Sequence, residues 1–452
     1  MTCSCNEFSR ASLLRKSVAE AGRGLPAIEP GMPMPAGSGL DRRSFVLRAA
    51  GLALAVYGAG KLPLGLFEEG IANAAASEPI LVSVFLEGGA DSLSMLAPVA
   101  DATYASLRPS LALAPGAGTP FAEDTSLHWH PSLAPLAQLG GEGKVSVLPA
   151  VGYTNADQSH FTSRHYWEVG ATDAHLLTGW LGRYLDRSGT MDNPLQGLAL
   201  SDSLQPSLAS ARVPIAAVSQ IDDYDLWAAG VWGSVESRML DALGTFPAGT
   251  SPATKTVAGV TRQSARLRSQ LQPFKDGNYG TPVAYPTAND SFPDRLKGLA
   301  ALIAAGLPLK AVTVSAPGMY DTHSDQAQEL SDGLKLTADS LFAFQRDLEA
   351  RGLADRVLVH VWSEFGRRGE ENGSAGTDHG AAGTGFLIGL RVKGQMLGEF
   401  PGLATGLDDD GNLKATFDYR SLYCSLLEQW FGYDAAAVIP NAGAFARPVL
   451  LK

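Results

Sequence analysis

Two continuous apolar runs, Ile80–Leu86 and Val357–Trp362, stop abruptly at glycine or carboxylate residues, and Lys144–Val151 and Lys310–Ser315 read as further strands. Continuous runs of this kind belong to strands buried on both faces. Helical patterns separate them: a segment from Leu127 to Gly140 opened by Pro131, then Ser163–Glu168, Thr178–Leu185, Val260–Leu271, Arg295–Ala305 with Asp294 as its cap, Leu330–Arg351 and Tyr419–Trp430. Alternating helix and strand predict a doubly wound α/β fold, a mostly parallel sheet sandwiched between helices. Residues 170–290 lack this rhythm, and about 186–290 reads as a variable insertion or lid.

Composition narrows the class. The 452 residues are 45% hydrophobic and 18% charged, as in a globular protein. Acidic residues outnumber basic ones 46 to 35, a net charge of -11, and no basic stripe interrupts the balance. A nucleic-acid partner is excluded on that ground, because the phosphate backbone demands a basic face. Fifty glycines and twenty-seven prolines place function on loops.

The first 76 residues read as a leader. Arg42 and Arg43 precede a weakly apolar run, Ala49–Leu66, and the small-residue motifs Ala72-Asn73-Ala74 and Ala74-Ala75-Ala76 follow. This is the pattern of a twin-arginine (Tat) export signal, with Met32 or Met34 as alternative starts. It implies recognition by the Tat translocase, a periplasmic or extracellular destination, and no stable membrane span after cleavage. The domain then runs over 77–452. Cys3 and Cys5 fall in the leader, so Cys424 stands alone in the mature chain and no intramolecular disulfide forms there.

Candidate chemistry collects where the apolar runs end, as it does at the carboxyl ends of strands in open α/β sheets. After Val357–Trp362 come Glu364, Arg367, Asp378 and His379, and after Ile80–Leu86 come Gly88, Gly89 and Asp91. Lys310–Ser315 releases Asp321 and His323, a mixed oxygen and nitrogen pair suited to a divalent cation. The Lys144–Val151 run leads to Ser159, His160 and Arg164 near a helix start. Free backbone N–H groups there favour an anion and ease ionisation of a hydroxyl, so Ser159 is either a nucleophile or a plain helix cap. Glu364 and Arg367 are likewise either site residues or a structural ion pair. His128 and His130 bracket a Trp before a Pro and read as a structural loop, and the acidic loop Asp408–Gly411 as a solvated turn.

The twin-arginine leader, LEGGADSL, QSHFTSRHYWEVG, TGWLGRYL, YDTH, and SEFGR followed by GTDHG occur in one order, and together they resemble the exported bacterial family called domain of unknown function 1501. That family is similar to the alkaline phosphatase and sulfatase superfamily. The resemblance implies an alkaline phosphatase-like fold with a divalent metal site (Zn, Mn, Mg or Ca) at the strand ends. It implies metal ligands at Asp91, Asp321, His323, Glu364 and His379, with His160 and Asp378 beside them, and a nucleophile at Ser159. Glu364-Phe365 stands where the superfamily has Asp-His, which leaves one nitrogen ligand to be supplied by His160 or another histidine. The implied activity is hydrolysis of a small phosphate or sulfate ester, with Arg164 or Arg367 offsetting charge in the transition state. The alternative is a non-catalytic envelope protein that keeps the fold and binds a glycan or a partner.

Overall fold

The computed structural model describes residues 78–222, 252–277 and 279–452, with short pieces at 56–57, 238–239 and 242–245. Arg42, Arg43 and the cleavage motifs lie outside the described residues. Two compact units divide the chain: Met1–Glu78, Thr172–Gly280 and Ala301–Thr313 form one, and Pro79–Ala171, Thr281–Ala300 and Val314–Lys452 the other.

The second unit carries all ten of the predicted site residues outside the leader. Its sheet contains β1 (Ile80–Phe85), β2 (Val145–Gly152), β3 (Val357–Trp362), β4 (Gly383–Ile388) and β5 (Phe417–Asp418), in spatial order β1-β3-β4-β2-β5. β1 and β3 pair in parallel from Ile80 opposite Val357 to Phe85 opposite Trp362, and β2 pairs in parallel with β5. β4 alone runs the other way, antiparallel to both β3 and β2. Every residue of β1, β2, β3 and β4 is buried, so both faces are covered, which is why these strands read as unbroken apolar runs. The mostly parallel sheet with flanking helices expected from the sequence is present.

Two helices matter for the site. α1 (His160–Val169) starts where Ser159 Oγ accepts the Phe161 N–H at 3.2 Å and ends at Gly170, which takes the left-handed conformation with φ of 66°. α2 (Gln326–Ala350) buries Leu330, Leu334, Leu341, Phe344 and Leu348 along one stripe.

The first unit has its own parallel strands. Ile215–Ala217, Gly197–Ala199 and the start of Ala311–Ser315 lie side by side, and the helices Trp180–Ser188 and Pro252–Leu271 belong to the same unit. Part of the segment read as an insertion therefore forms sheet.

Some elements differ from the sequence pattern for local reasons. The Leu127–Gly140 segment is a short strand, His128–Trp129, a 3-10 turn, Pro131–Leu133, and a helix from Ala134 to Gly141. Pro131 holds His130 in an extended conformation and so stops a helix from starting earlier. The helix expected at Arg295 begins at Phe292, whose N–H is taken by Asp290 Oδ1 at 2.7 Å, so Asp294 lies in the first turn and is not the cap. The glycine-rich segment after Phe365 is a two-stranded hairpin in which Arg367–Glu371 pairs with Thr377–His379.

Candidate metal centre

The site forms where the chain leaves β1 and β3. Gly88 and Gly89 follow β1 with φ of 120° and 76°, and a Cβ on Gly88 would collide with the Asp321 amide nitrogen, one on Gly89 with the Phe365 ring. No other residue type tolerates both demands. Their amides point at Glu364, just beyond β3: Gly88 N donates to Oε1 at 3.1 Å and Gly89 N to Oε2 at 3.1 Å. Ser363 Oγ donates to Oε2 at 3.0 Å, and His160 Nδ1 lies 2.7 Å from Oε1 of this fully buried carboxylate.

His160 opens α1 and turns its other nitrogen toward Asp321. Three imidazole Nε2 atoms converge on Asp321 Oδ1, from His323 at 3.0 Å, His379 at 3.2 Å and His160 at 3.4 Å. Ligand atoms of His160, Asp321 and His379 all lie within 4.8 Å of one another. The opposite nitrogen of each ring is held by oxygen: His160 by Glu364, His379 by the Gln158 carbonyl at 2.8 Å and His323 by Asp378 Oδ1 at 3.2 Å. Carbonyl and carboxylate oxygens only accept, so Nδ1 carries a proton in each ring and Nε2 is the nitrogen turned inward, where those of His323 and His379 also meet at 3.0 Å.

That geometry sets an electrostatic problem. Three hydrogen bonds from Nε2 to one oxygen would require three imidazolium ions, whereas neutral rings leave three lone pairs facing a carboxylate. A cation resolves both. Ligand atoms about 2.0–2.1 Å from one tetrahedral ion stand roughly 3.3 Å apart, and the separations of Asp321 Oδ1 from His379 and His160, 3.2 and 3.4 Å, match that spacing. Outer oxygens that hold each ring are the usual complement of histidine ligands. Burial is graded: the side chains of His160, Asp321 and His379 are 3%, 4% and 9% exposed, while His323 is 25% exposed. His323 Nε2 also accepts from Arg367 Nη1 at 3.2 Å, and the three more buried groups, His160, Asp321 and His379, are those that could hold an ion.

Without a metal, a proton on His160 serves as counter-charge. Burial pulls the His160 imidazole down, yet its bonds to Asp321 and Glu364 outweigh that and push it up to about 9. Burial would raise Asp321, but His160, His323 and His379 hold it far below the ordinary carboxylate range. Glu364 is likewise lowered against its burial, chiefly by His160.

Several expected site residues have other employment. Asp91 is a correction: it does not join the cluster, because Arg108 claims both oxygens through a buried fork, with Nη2 2.8 Å from Oδ1 and Nη1 2.5 Å from Oδ2. Ser94 Oγ and Gln326 Nε2 add bonds to Oδ2, each at 2.6 Å. Glu364 is a second correction, since it orients His160 and its oxygens are taken by glycine amides. Arg367, expected to offset charge at a reacting centre, is fully buried and spreads its donors over Asp321 Oδ1 at 2.6 Å and the carbonyls of Gly88, Gly89, Tyr320 and Thr377. Arg164 bonds Glu87 at 2.8 Å and Glu168 at 2.9 Å, and Asp378 reaches the cluster only through His323. Ser159 is the helix cap, and its neighbours Gln158 and His160 both touch the cluster. His128 and His130 bond backbone groups of Ala117 and Ser132, as a structural loop requires. Arg108, Gln158 and Gln326 escaped the sequence reading. Gln158 acts through its backbone carbonyl, to which the residue type is indifferent, and the partners of Arg108 and Gln326 are fixed by the fold.

The second unit is thus a mixed α/β protein with a histidine and carboxylate cluster at the carboxyl ends of its strands. The family model described as a protein of unknown function (DUF1501) matches residues 152–441, more than half of the chain, and the chain belongs to that family. No curated protein matches it. Among solved structures, the C-terminal periplasmic domain of EcEptC from Escherichia coli, in complex with Zn, is 11% identical with a TM-score of 0.35, covering 84% of this chain and 90% of that one. The lipoteichoic acid synthase LtaP from Listeria monocytogenes is 9% identical with a TM-score of 0.31, covering 84% and 78%. The sulfatase PsFucS1 from Pseudoalteromonas sp. is 10% identical with a TM-score of 0.29, covering 84% and 77%. No residue role is carried over from likenesses at this level.

Proposed function

We propose that this protein is a metal-dependent hydrolase of phosphate or sulfate esters, exported by the Tat route through Arg42 and Arg43 to the periplasm or beyond. One observation carries the enzyme reading: His160, Asp321 and His379 present three inward ligand atoms, each imidazole held from behind by an oxygen. Three protein ligands are the number found in catalytic metal sites, whereas structural zinc sites are closed by four. Two imidazoles and a carboxylate suit zinc or a similar transition ion better than magnesium or calcium, which prefer oxygen throughout. The ester class rests on the motif resemblance.

In this reading His160, Asp321 and His379 hold the ion, which when bound polarises an ester oxygen and lowers the pKa of a hydroxyl beside it. Asp378 fixes the His323 ring through Nδ1, and Nε2 exchanges its contacts with Asp321 and Arg367 for the proton of the attacking group. Ser159, one residue before a ligand and at a helix start, supplies that hydroxyl, with water as the alternative. Arg367 holds Asp321 and the loops after β1 and β3 in register.

The test is elemental analysis of the purified mature chain, coupled to hydrolysis of p-nitrophenyl phosphate and p-nitrophenyl sulfate. Stoichiometric metal and turnover that is lost with Asp321→Ala support the enzyme. Metal without turnover of either ester supports the second reading, a non-catalytic envelope binder, which the full internal engagement of Arg367 favours. Fusion of residues 1–80 to a Tat-dependent reporter tests export, and loss of signal with Arg42→Lys/Arg43→Lys is the expected result.

A further inference from the structure

Beneath the cluster lies a chain of buried polar groups that the proposed chemistry does not use. Gln326, the first residue of α2, is fully buried, and its amide is bonded at both ends. Nε2 donates to Asp91 Oδ2 at 2.6 Å. Oε1 accepts from Thr322 Oγ1 at 2.9 Å and from Thr377 Oγ1 at 2.6 Å. Thr322 sits between Asp321 and His323, and Thr377 lies two residues before His379. The two threonines also meet through backbone, Thr377 N donating to the Thr322 carbonyl at 3.0 Å.

We infer that Gln326 is a positioning residue: its amide ties the Asp321–His323 loop and the Thr377–His379 strand to the Asp91–Arg108 pair, and so sets the spacing at which the imidazoles face Asp321. The amide is directional. A carboxylate accepts only, so Asp91 fixes the NH2 end, and the carbonyl end must then face the two hydroxyls. Asp91 in turn is immobilised by the Arg108 fork, whose remaining donors hold the hairpin through the carbonyls of Gly369, at 2.9 Å, and Arg368, at 3.0 Å. Both cluster-bearing segments are therefore referred to one rigid point. Bidentate guanidinium to carboxylate pairing supplies the rigidity, and groups that hold metal ligands from behind change affinity by about 10–100-fold when removed.

The positioning itself is independent of any metal; only its effect on affinity rests on the function proposed above. Three variants separate the arms: Thr322→Val removes the hydroxyl beside His323, Thr377→Val the one beside His379, and Gln326→Met removes the amide while keeping its length. Imidazole 1H–15N spectra of the metal-free full chain provide the first readout, with His360 as an internal control. Cobalt(II) affinity and visible absorption provide the second. Thr322→Val is expected to shift the His323 ring, Thr377→Val the His379 ring, and Gln326→Met both, with His360 unmoved and cobalt affinity down about 10–100-fold. Folded variants with lowered melting temperature but unshifted His323 and His379 signals would overturn the inference and reduce Gln326 to ordinary core structure. If Gln326→Met does not fold, the two threonine variants, each near-isosteric, decide the matter. Shifted rings in a protein that takes up no cobalt would uphold the positioning role and remove the metal-dependent enzyme instead.

Discussion

Glu364 Oε1 lies 2.7 Å from His160 Nδ1, although the two residues are 204 positions apart in the chain. The carboxylate therefore acts on the cluster through an imidazole, fixing which nitrogen carries the proton and making the other more basic. Glu364→Gln keeps the shape but must turn its oxygen to the Gly88 and Gly89 amides, leaving His160 poorly held. Zinc affinity is expected to fall about 10–100-fold in competition titrations against a chromophoric chelator, with stoichiometry unchanged.

The graded burial of the four inward groups predicts unequal roles. Asp321→Ala and His379→Ala are expected to abolish metal uptake, because each removes one of the three buried ligands. His323→Ala is expected to retain stoichiometric metal and lose most turnover, since His323 sits at the exposed edge with Asp378 behind it. Elemental analysis beside ester hydrolysis reads both effects, and loss of metal in His323→Ala would make His323 an obligatory ligand.

Asp91 and Arg108 form a pair with both side chains fully buried. Removing one partner strands a charge in the interior, so Asp91→Ala is expected to destabilise the fold by about 3–5 kcal/mol. The double variant Asp91→Ala/Arg108→Met is expected to lose less than the sum of the single changes, and urea midpoints of all three proteins measure the coupling. Burial works to raise Asp91, but Arg108 prevails and lowers it. Its contribution is accordingly present above the ordinary value of 3.8 and disappears only as pH falls through the lower value of the folded state.

The division between what the residues announced and what they hid follows from range. β1 and β3 were legible because strands buried on both faces carry uninterrupted apolar sequence, and the site followed from where those runs end. His160, Asp321, His323 and His379 were all named, yet their grouping was not fixed, since strand order decides which loop ends meet. Asp91 and Glu364 look like ligands in sequence because a carboxylate after a strand is the same signal whether it meets a metal, a guanidinium as Asp91 does, or an imidazole as Glu364 does. Only the partner distinguishes them, and Arg108 sits 17 residues away from Asp91, just past the end of the helix Ala102–Leu107. The hairpin after Phe365 was hidden for a local reason. Its glycines suggested an irregular turn, and pairing is set by the register of Arg367 opposite His379.

His360 gives the clearest pH dependence away from the cluster. It lies in the middle of β3, 1% exposed, with its ring edge toward Tyr423 at 5.9 Å, and burial lowers it to about 3. The unfolded chain binds a proton near the ordinary value of 6.5 while the folded protein does not, so the stability associated with neutral His360 is complete above that pH. It declines as pH falls from 6.5 toward 3, because the unfolded state gains the proton first. His360→Phe removes this titration and keeps a ring against Tyr423. Between pH 6.5 and 5 the variant is expected to gain about 2 kcal/mol relative to the parent, read as the difference between denaturant unfolding free energies at each pH. A pH-independent difference between the two proteins would show that His360 is protonated, or solvated, in the folded state.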